Sequence, residues 1–377
     1  MSPPTFEKVS GTYIPDDIVF SILSKLPVKP LQRFACVHKS WSRLFENPIF
    51  MNMFRNNLVS KSHSRYDDDD ACLIFQWFLD PGKLSFLTDE KFEREIKLDL
   101  PPPFDIQQNV LYDHSSILCS AINGILCIYN CINPSEIVLW NPATKEVYAV
   151  PPPNLPESLP NVTANYFLHG FGYDHVNDDY KVIRFVHYQK YTCKTPAPFY
   201  EIYSLRSHSW RKLDVDIPIA YPVRLDSPVY LDGVCHWLEL IDDRTFVVSF
   251  NLSNEVFLTT PLDMHGDFGF RLVVLNGSVA IIPYNYGGST SFSISILGEI
   301  GVKESWTRLF DVGLSPSNLY PIAAGKKGNI FFKKQYDKSK LVCFDLATGV
   351  IDDIDVEGKG SICDITIYKK NLRRFKE

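Results

Sequence analysis

His169, His175 and His187 lie close in sequence to Asp174, Asp178 and Asp179. Imidazoles interleaved with carboxylates are the side chains from which divalent-metal and acid–base sites are built. The spacing favours a plainer use. Residues 174–179 fall between two apolar strand-like runs, where Asp and Asn fold back on their own backbone and shape a turn without any ligand. Cys127 and Cys131 flank a strand end and read as core filler and loop residue rather than a redox pair. The chain has no GxSxG, HExxH or GxxxxGK[ST] motif. No catalytic residue, metal site or cofactor is therefore expected.

The elements that carry these residues are mostly strands. The chain of 377 residues is 45% apolar and 22% charged, ordinary for a globular protein, but contains 6 Trp, 19 Tyr and 26 Phe with 26 Pro. That balance favours strands and turns over helices. Trp140, Trp210 and Trp306 then read as packing between sheets, with sugar stacking as the sharper alternative.

Helical periodicity is confined to residues 12–55. From Asp16, apolar residues at Ile18, Val19, Ile22, Leu23 and Leu26 share one helical face, and Pro27 stops the helix. A second short helix should begin at Pro30 and turn Leu31, Phe34 and Ala35 inward, and a third should hold Trp41, Leu44 and Phe45. Three short helices enclose little volume, so part of the apolar face should stay exposed until a partner covers it. The segments Ile14-Pro15-Asp16-Asp17-Ile18, Ile22 to Lys29, Leu31-Gln32-Arg33-Phe34, Cys36 to Trp41 and Asn47-Pro48-Ile49-Phe50 resemble an F-box from start to finish. The resemblance implies binding to a Skp-type adaptor, and through it to the cullin and RING subunits of a ubiquitin ligase. Ile14, Pro15, Ile18, Ile22, Leu26, Pro27, Leu31, Val37 and Trp41 form the apolar set that either packs the three helices or meets the adaptor.

Residues 56–70, polar and ending in four aspartates, read as an acidic linker, and residues 1–11 as a disordered tail. From 71 to 377 a unit repeats: strand, tight turn, strand, polar loop, strand, second turn, strand. Its clearest copy is Ile117 to Pro152, around the Asn123-Gly124 hairpin signal. The residue before the second turn falls at Leu87, Pro142, Leu205, Leu252, Leu297 and Leu346, with spacings of 55, 63, 47, 45 and 49. Six such marks predict six blades, and the spacing suits a kelch-like period of roughly 50 residues. Residues 71–98 hold only three strands, while SICDITIY at 361–368 is left over at the far end. Pairing the two would close the ring and remove an open sheet edge. The fold class expected is mainly β: a three-helix F-box followed by a roughly six-bladed kelch-like β-propeller.

Asn123 to Cys127, Leu139 to Thr144, Gly170 to Asp174, Asp179 to Val182, Tyr203-Ser204-Leu205 and Ser209-Trp210 resemble the F-box-associated domain of plant F-box proteins, including the F-box/kelch-repeat and S-locus F-box-like groups. The two resemblances together imply a non-catalytic substrate receptor of an SCF-type ligase. The alternative is a carbohydrate-binding or hydrolytic propeller for which the helical region is a docking module.

Charge separates the two regions. Residues 1–60 carry 7 basic and 4 acidic side chains, the rest 31 and 40. A basic opening suits an acidic protein partner, while an acidic body argues against nucleic acid. Nine scattered cysteines without a CxxC pair suggest a reducing compartment. With no apolar leader or membrane-length stretch, the expected location is cytoplasmic, nuclear or both, and no membrane partner is expected. The tail with Lys369, Lys370, Arg373, Arg374 and Lys376 could serve nuclear import or guard the last strand. In a four-stranded antiparallel blade the first and third turns share one rim, and the second turns share the other with the blade-to-blade links. The second set reads as long: 189–198, 241–244, 285–290, 334–340 and 153–166. Lys190, Tyr191, Asp242, Arg244, Tyr286 and Lys338 on that rim are the expected contacts to a target protein, opposite the F-box.

Overall fold

A computed structural model describes residues 14–375 except 27–29, 32, 35–40, 42, 66–70, 78–79, 89–93, 105–119, 130–135, 153–162, 190–196, 215–227, 243, 263–267, 286–290, 314–318, 326–327, 335–339, 355, 357–361 and 373–374. Pro27 and Val37, and Lys190, Tyr191, Tyr286 and Lys338, lie outside the described residues.

Six four-stranded antiparallel sheets make up the body. Blade 1 holds β1 (Ala71–Trp77), β2 (Asp80–Thr88) and β3 (Arg94–Asp99), and blade 2 holds β4 (Ala121–Ile122), β5 (Ile125–Tyr129), β6 (Ile137–Asn141) and β7 (Glu146–Val150). Blade 3 is β8 (Thr163–Asp174), β9 (Asp179–Gln189), β10 (Phe199–Ser204) and β11 (Ser209–Lys212). Blade 4 is β12 (Val229–Leu231), β13 (Val234–Ile241), β14 (Arg244–Asn251) and β15 (Phe257–Pro261). Blade 5 is β16 (Phe268–Leu275), β17 (Ser278–Asn285), β18 (Ser291–Leu297) and β19 (Trp306–Gly313). Blade 6 is β20 (Leu319–Ala324), β21 (Asn329–Lys334), β22 (Leu341–Asp345) and β23 (Ile351–Ile354). The last strand, β24 (Ile362–Lys369), pairs with β1 in the register Ala71↔Lys369 to Phe75↔Ile365 and supplies the missing inner strand of blade 1. The innermost strands touch in the cycle β4, β8, β12, β16, β20, β24 and back to β4, so the ring is closed.

Each predicted period mark lies at the end of its blade's third strand, Leu87 and Leu297 within it and Pro142, Leu205, Leu252 and Leu346 just after it. The hairpin signals fold as the sequence requires. Asn123-Gly124, Asp232-Gly233 and Asn276-Gly277 have positive φ at both positions, the twist that matches paired strands. A second turn type recurs: Asn141, Asp174, Asn251 and Asp345 each accept from the amides two and three residues on. The fourth residue after each, at Lys145, Asp178, Glu255 and Gly349, has positive φ. The Asp174–Asp179 segment is therefore turn chemistry.

Apolar clusters lie between successive blades, uniting blades 1 to 3, blades 3 and 4, blades 4 and 5, and blades 6 and 1. Trp140 is buried in the first, and half-buried Trp210 and Trp306 pack against the first and the blade 4/5 cluster, so all three contribute to packing. The innermost strands of five blades, β4, β12, β16, β20 and β24, line an open cavity of about 200 Å³, with Arg271 the charged side chain among its lining residues.

The N-terminal region corrects the expectation of three short helices. Among the described residues two helices are fully bounded: α1 (Asp16–Leu23) and the much longer α2 (Pro48–Arg65). Pro30, Leu31, Arg33 and Phe34 have helical backbone, while in the segment expected to form the third helix Trp41 and Arg43 are in turns and Leu44–Glu46 is a single 3-10 turn. The reason is local. Asn47 accepts from the amides of Ile49 and Phe50 at 2.9 and 3.1 Å, and Pro48 follows it, so a new helix starts there and runs through part of the segment read as linker. Phe34, expected inward, is instead 38% exposed and meets Trp41 edge-on.

Candidate functional site

Two surfaces position the residues singled out from the sequence: the helical face and the rims of the ring. On α1 the apolar residues divide. Leu23 is buried, and Val19 and Phe20 are half-buried toward α2, where Phe20 meets Phe50 edge-on at 5.7 Å. Ile18 and Ile22, with Ile14 just ahead of the helix, are 48%, 56% and 55% exposed and follow one another at four-residue spacing. Pro15 beside them is exposed, Leu26 and Trp41 are half-buried, and Leu31 is fully buried. Of the nine residues named for the adaptor, four are thus open to solvent, while Leu31 packs the interior. Ile49, at 68% exposed, adds to the apolar surface of this region and was not among the nine.

The inner side of the helical region is held to the ring. Leu23, Leu31, Leu44, Phe50, Met51 and Phe54 join one apolar cluster with strands of blades 5 and 6. Arg55 of α2 lies 5.9 Å over the Phe310 ring of β19, and Arg33 pairs with Glu299 in the β18–β19 turn at 3.5 Å. Glu299 belongs to the rim of the first and third turns, and β1 begins at that rim beside Lys369. The helical region therefore docks on the ring's side and short-turn rim and leaves the stripe of isoleucines uncovered. Sequence reasoning ranks docking on the ring below binding of a partner, because Phe50, Phe54 and Arg55, which make the contact, lie outside the periodic run of α1.

Of the six residues named on the opposite rim, Asp242 and Arg244 are described, and both are exposed. Their connection corrects the expectation of a long loop. Ile241 pairs with Arg244 directly across β13 and β14, so only two residues turn the chain, with Asp242 at φ 47°.

The histidine and carboxylate cluster disperses in space. His169 is buried against the Trp237 ring at 4.9 Å, and His175 sits on an exposed turn near the Tyr230 hydroxyl. Burial lowers His169 to about 3, so the ring stays neutral. Asp174 is fully buried and joins blade 3 to blade 4. Lys181 Nζ donates to its Oδ2 at 2.8 Å and to the Leu252 carbonyl at 2.7 Å, and Ser253 donates to Oδ1. Despite the opposing effect of burial, these donors hold the Asp174 carboxyl well below the usual range. Arg184 is buried and pairs with Glu201 at 2.6 Å, and its guanidinium lies between the rings of Tyr166 and Trp210. Among the described residues no three His, Cys, Asp or Glu side chains are grouped as a metal site would need. No described helix is long and apolar enough to cross a membrane.

Glu239 gives a pH dependence with a definite sign. It is 2% exposed beside Trp237, the Tyr200 hydroxyl donates to its carboxylate at 3.3 Å, and burial raises it to about 7. The unfolded chain ionises it near 4.5. Stability from this group is complete below that value and is lost as pH rises through 7. Glu239→Gln keeps an acceptor for Tyr200 and is expected to stabilise the fold at pH 8 by up to about 3 kcal/mol, and hardly at pH 4. Thermal melts of both proteins at the two pH values check this. An equal shift at both would show that ionisation is not the cause.

A closed six-bladed ring preceded by a helical region is the architecture that the two sequence resemblances imply. The family model for the F-box associated beta propeller domain matches residues 86–371, and that for the F-box domain matches residues 13–52. The chain belongs to the F-box-associated β-propeller family. It carries an F-box domain ahead of the ring, and its curated relatives include F-box proteins of Arabidopsis thaliana. F-box protein CPR1 is 26% identical over 369 residues, covering 88% of this chain and 82% of that protein. F-box/kelch-repeat protein At3g23880 is 24% identical, covering 83% of each. The protein At3g16210 is 28% identical over 258 residues, covering 67% of this chain, and the match spans 61% of its length.

Proposed function

We propose that the chain is the substrate receptor of an SCF-type ubiquitin ligase. The F-box binds a Skp-type adaptor, cullin and RING subunits join through that adaptor, and the propeller holds a target protein for ubiquitination and degradation. The observation that carries this reading is the exposed stripe of Ile14, Ile18 and Ile22 on a domain whose other face is packed against the ring. Three aliphatic side chains left in water at helical spacing suit an apolar partner surface. The chain then acts by proximity, raising the effective concentration of a target lysine near a charged conjugating enzyme, and performs no bond chemistry itself. Such a receptor works in the cytoplasm, the nucleus or both.

The division of labour is the F-box at 12–55 and the substrate domain from 71 to 377. Because α2 and Glu299 hold the F-box to blade 5, the two binding surfaces keep a fixed separation. Asp242 and Arg244, on the rim away from Glu299, are proposed to meet the target together with Lys190, Tyr191, Tyr286 and Lys338. Reversing the charges of Lys190, Asp242, Arg244 and Lys338 together should abolish target capture while the adaptor still co-purifies. Reversal of Lys145, Arg206 and Asp232 on the short-turn rim is the control. Loss of target from the control set alone would invert the orientation.

A further inference from the structure

Past the last strand of the ring, the chain continues onto a neighbouring blade. The Asn371 carbonyl accepts from Asn141 Nδ2 at 3.0 Å, and Asn141 is fully buried in the β6–β7 turn of blade 2. The Phe375 amide donates to Glu146 Oε2 at 3.4 Å, and its ring lies 6.3 Å from that of Tyr148 on β7. Beneath Asn371 is Gly124 of the β4–β5 turn, at φ +79°, where a Cβ would stand 2.5 Å from Asn371 Cβ and 2.8 Å from its nitrogen. Only glycine fits there, both for the backbone conformation and for the closeness of the tail.

Asn141 makes a turn common to several blades but has a second use. Its Oδ1 accepts from the amides of Ala143 and Thr144, as Asp345 and Asn251 do in their own turns. Its Nδ2 donates to the tail, a bond that an aspartate could not make. Gly124 and Asn141 belong to the two sequence motifs, Asn-Gly-Ile-Leu-Cys and Leu-Trp-Asn-Pro-Ala-Thr, that the proposed receptor function leaves without a role.

We propose that these two turns form a peptide cradle in blade 2 whose ligand is the chain's own C-terminal segment, held through Asn371 and Phe375, and that this contact is a latch closing blade 1 onto blade 2. β24 closes blade 1 internally, whereas the latch ties that completed blade to the next one. The ligand chemistry is a short segment offering a backbone carbonyl to a buried amide and, four residues later, an aromatic ring to Tyr148. A peptide of that kind supplied from outside should fill the same cradle.

The test begins with a chain ending at Lys370, which keeps β24 and loses the latch, and with Asn141→Asp in the full chain, which keeps the turn acceptor and loses the donor. Each should lower the thermal midpoint by roughly 2 to 5 °C, the size of one or two lost contacts in a domain this large. In the shortened chain Asn141→Asp should have little further effect, since its partner is gone. A synthetic peptide of residues 371–377 should raise the midpoint of the shortened chain but not that of its Asn141→Asp version. An unchanged midpoint on shortening, equal effects of Asn141→Asp with and without the tail, or equal peptide response in both shortened chains would overturn the latch. If the shortened chain does not fold, Phe375→Ala and Asn141→Asp in the full chain decide. Non-additive losses support the latch, and strictly additive losses refute it.

Discussion

Ending the chain at Gly360 is expected to abolish cooperative folding of the ring. The cut removes β24, the inner strand of blade 1, and with it the buried side chains of Ile365 and Tyr368. Two buried apolar side chains of this size are worth about 4 kcal/mol or more together, before the lost ladder is counted. Blade 1 is then left with an unpaired edge at β1, and the inner strands of blades 2 and 6 lose the neighbour they both touch. A loss on that scale is comparable to the roughly 5–15 kcal/mol stability of a whole domain. Circular dichroism melts check it, with the chain ending at Lys370 separating the strand's contribution from the latch's. A soluble protein ending at Gly360 with a sharp transition within a few degrees of the full chain would mean that the ring does not depend on this closure.

Replacing Ile18 and Ile22 together by Asp is expected to weaken adaptor binding at least a hundredfold while leaving the thermal midpoint nearly unchanged. Both side chains are about half exposed, so the folded chain loses little when they change. A covering partner loses the burial of two aliphatic groups and must bury two carboxylates without partners, a cost of several kcal/mol. Leu31→Ala is the contrasting case. Leu31 is fully buried in the cluster that joins the helices to blades 5 and 6, so its truncation should lower the midpoint first, by an amount matching about 2–5 kcal/mol, and binding only through the fold. Titration of purified adaptor into each variant, with melts alongside, distinguishes the two. Undiminished affinity of the Ile18→Asp, Ile22→Asp chain would move the interface off α1.

Much of the ring was legible because its signals are local and repeat. An Asn-Gly or Asp-Gly pair needs positive φ at both positions, so it marks a hairpin wherever it stands, and Leu87 to Leu346 mark the same point of each blade. The unpaired strand at the C-terminus could be matched to the three-stranded first blade because an open edge is unfavourable. Other features depend on distant residues and leave no pattern. The docking of α2 on blade 5 rests on Arg55 reaching Phe310 and Arg33 reaching Glu299, pairs more than two hundred positions apart. Past residue 55 the polar composition of α2 reads as linker, although Asn47-Pro48 is a strong start signal. Within α1, periodicity found the apolar residues but could not divide them, since Ile18 and Val19 differ only in what lies opposite. The short turn at Asp242 carries no such local signal because Asp242-Asp243 is not a glycine pair, yet the strands on either side are long enough to force it.

The division into an adaptor-binding F-box and a target-binding ring is tested most directly by affinity purification with quantitative mass spectrometry. Tagged full chain is compared with the Ile18→Asp, Ile22→Asp chain, both expressed in plant cells with degradation blocked. Point changes serve better than deletion of the first 55 residues, which would take Phe50 and Phe54 from the cluster shared with blades 5 and 6. The adaptor and cullin should be recovered with the unmodified chain and fall by at least tenfold with the variant, while the target proteins remain at equal abundance. Equal recovery of adaptor with both chains, or its absence from both, would contradict the account.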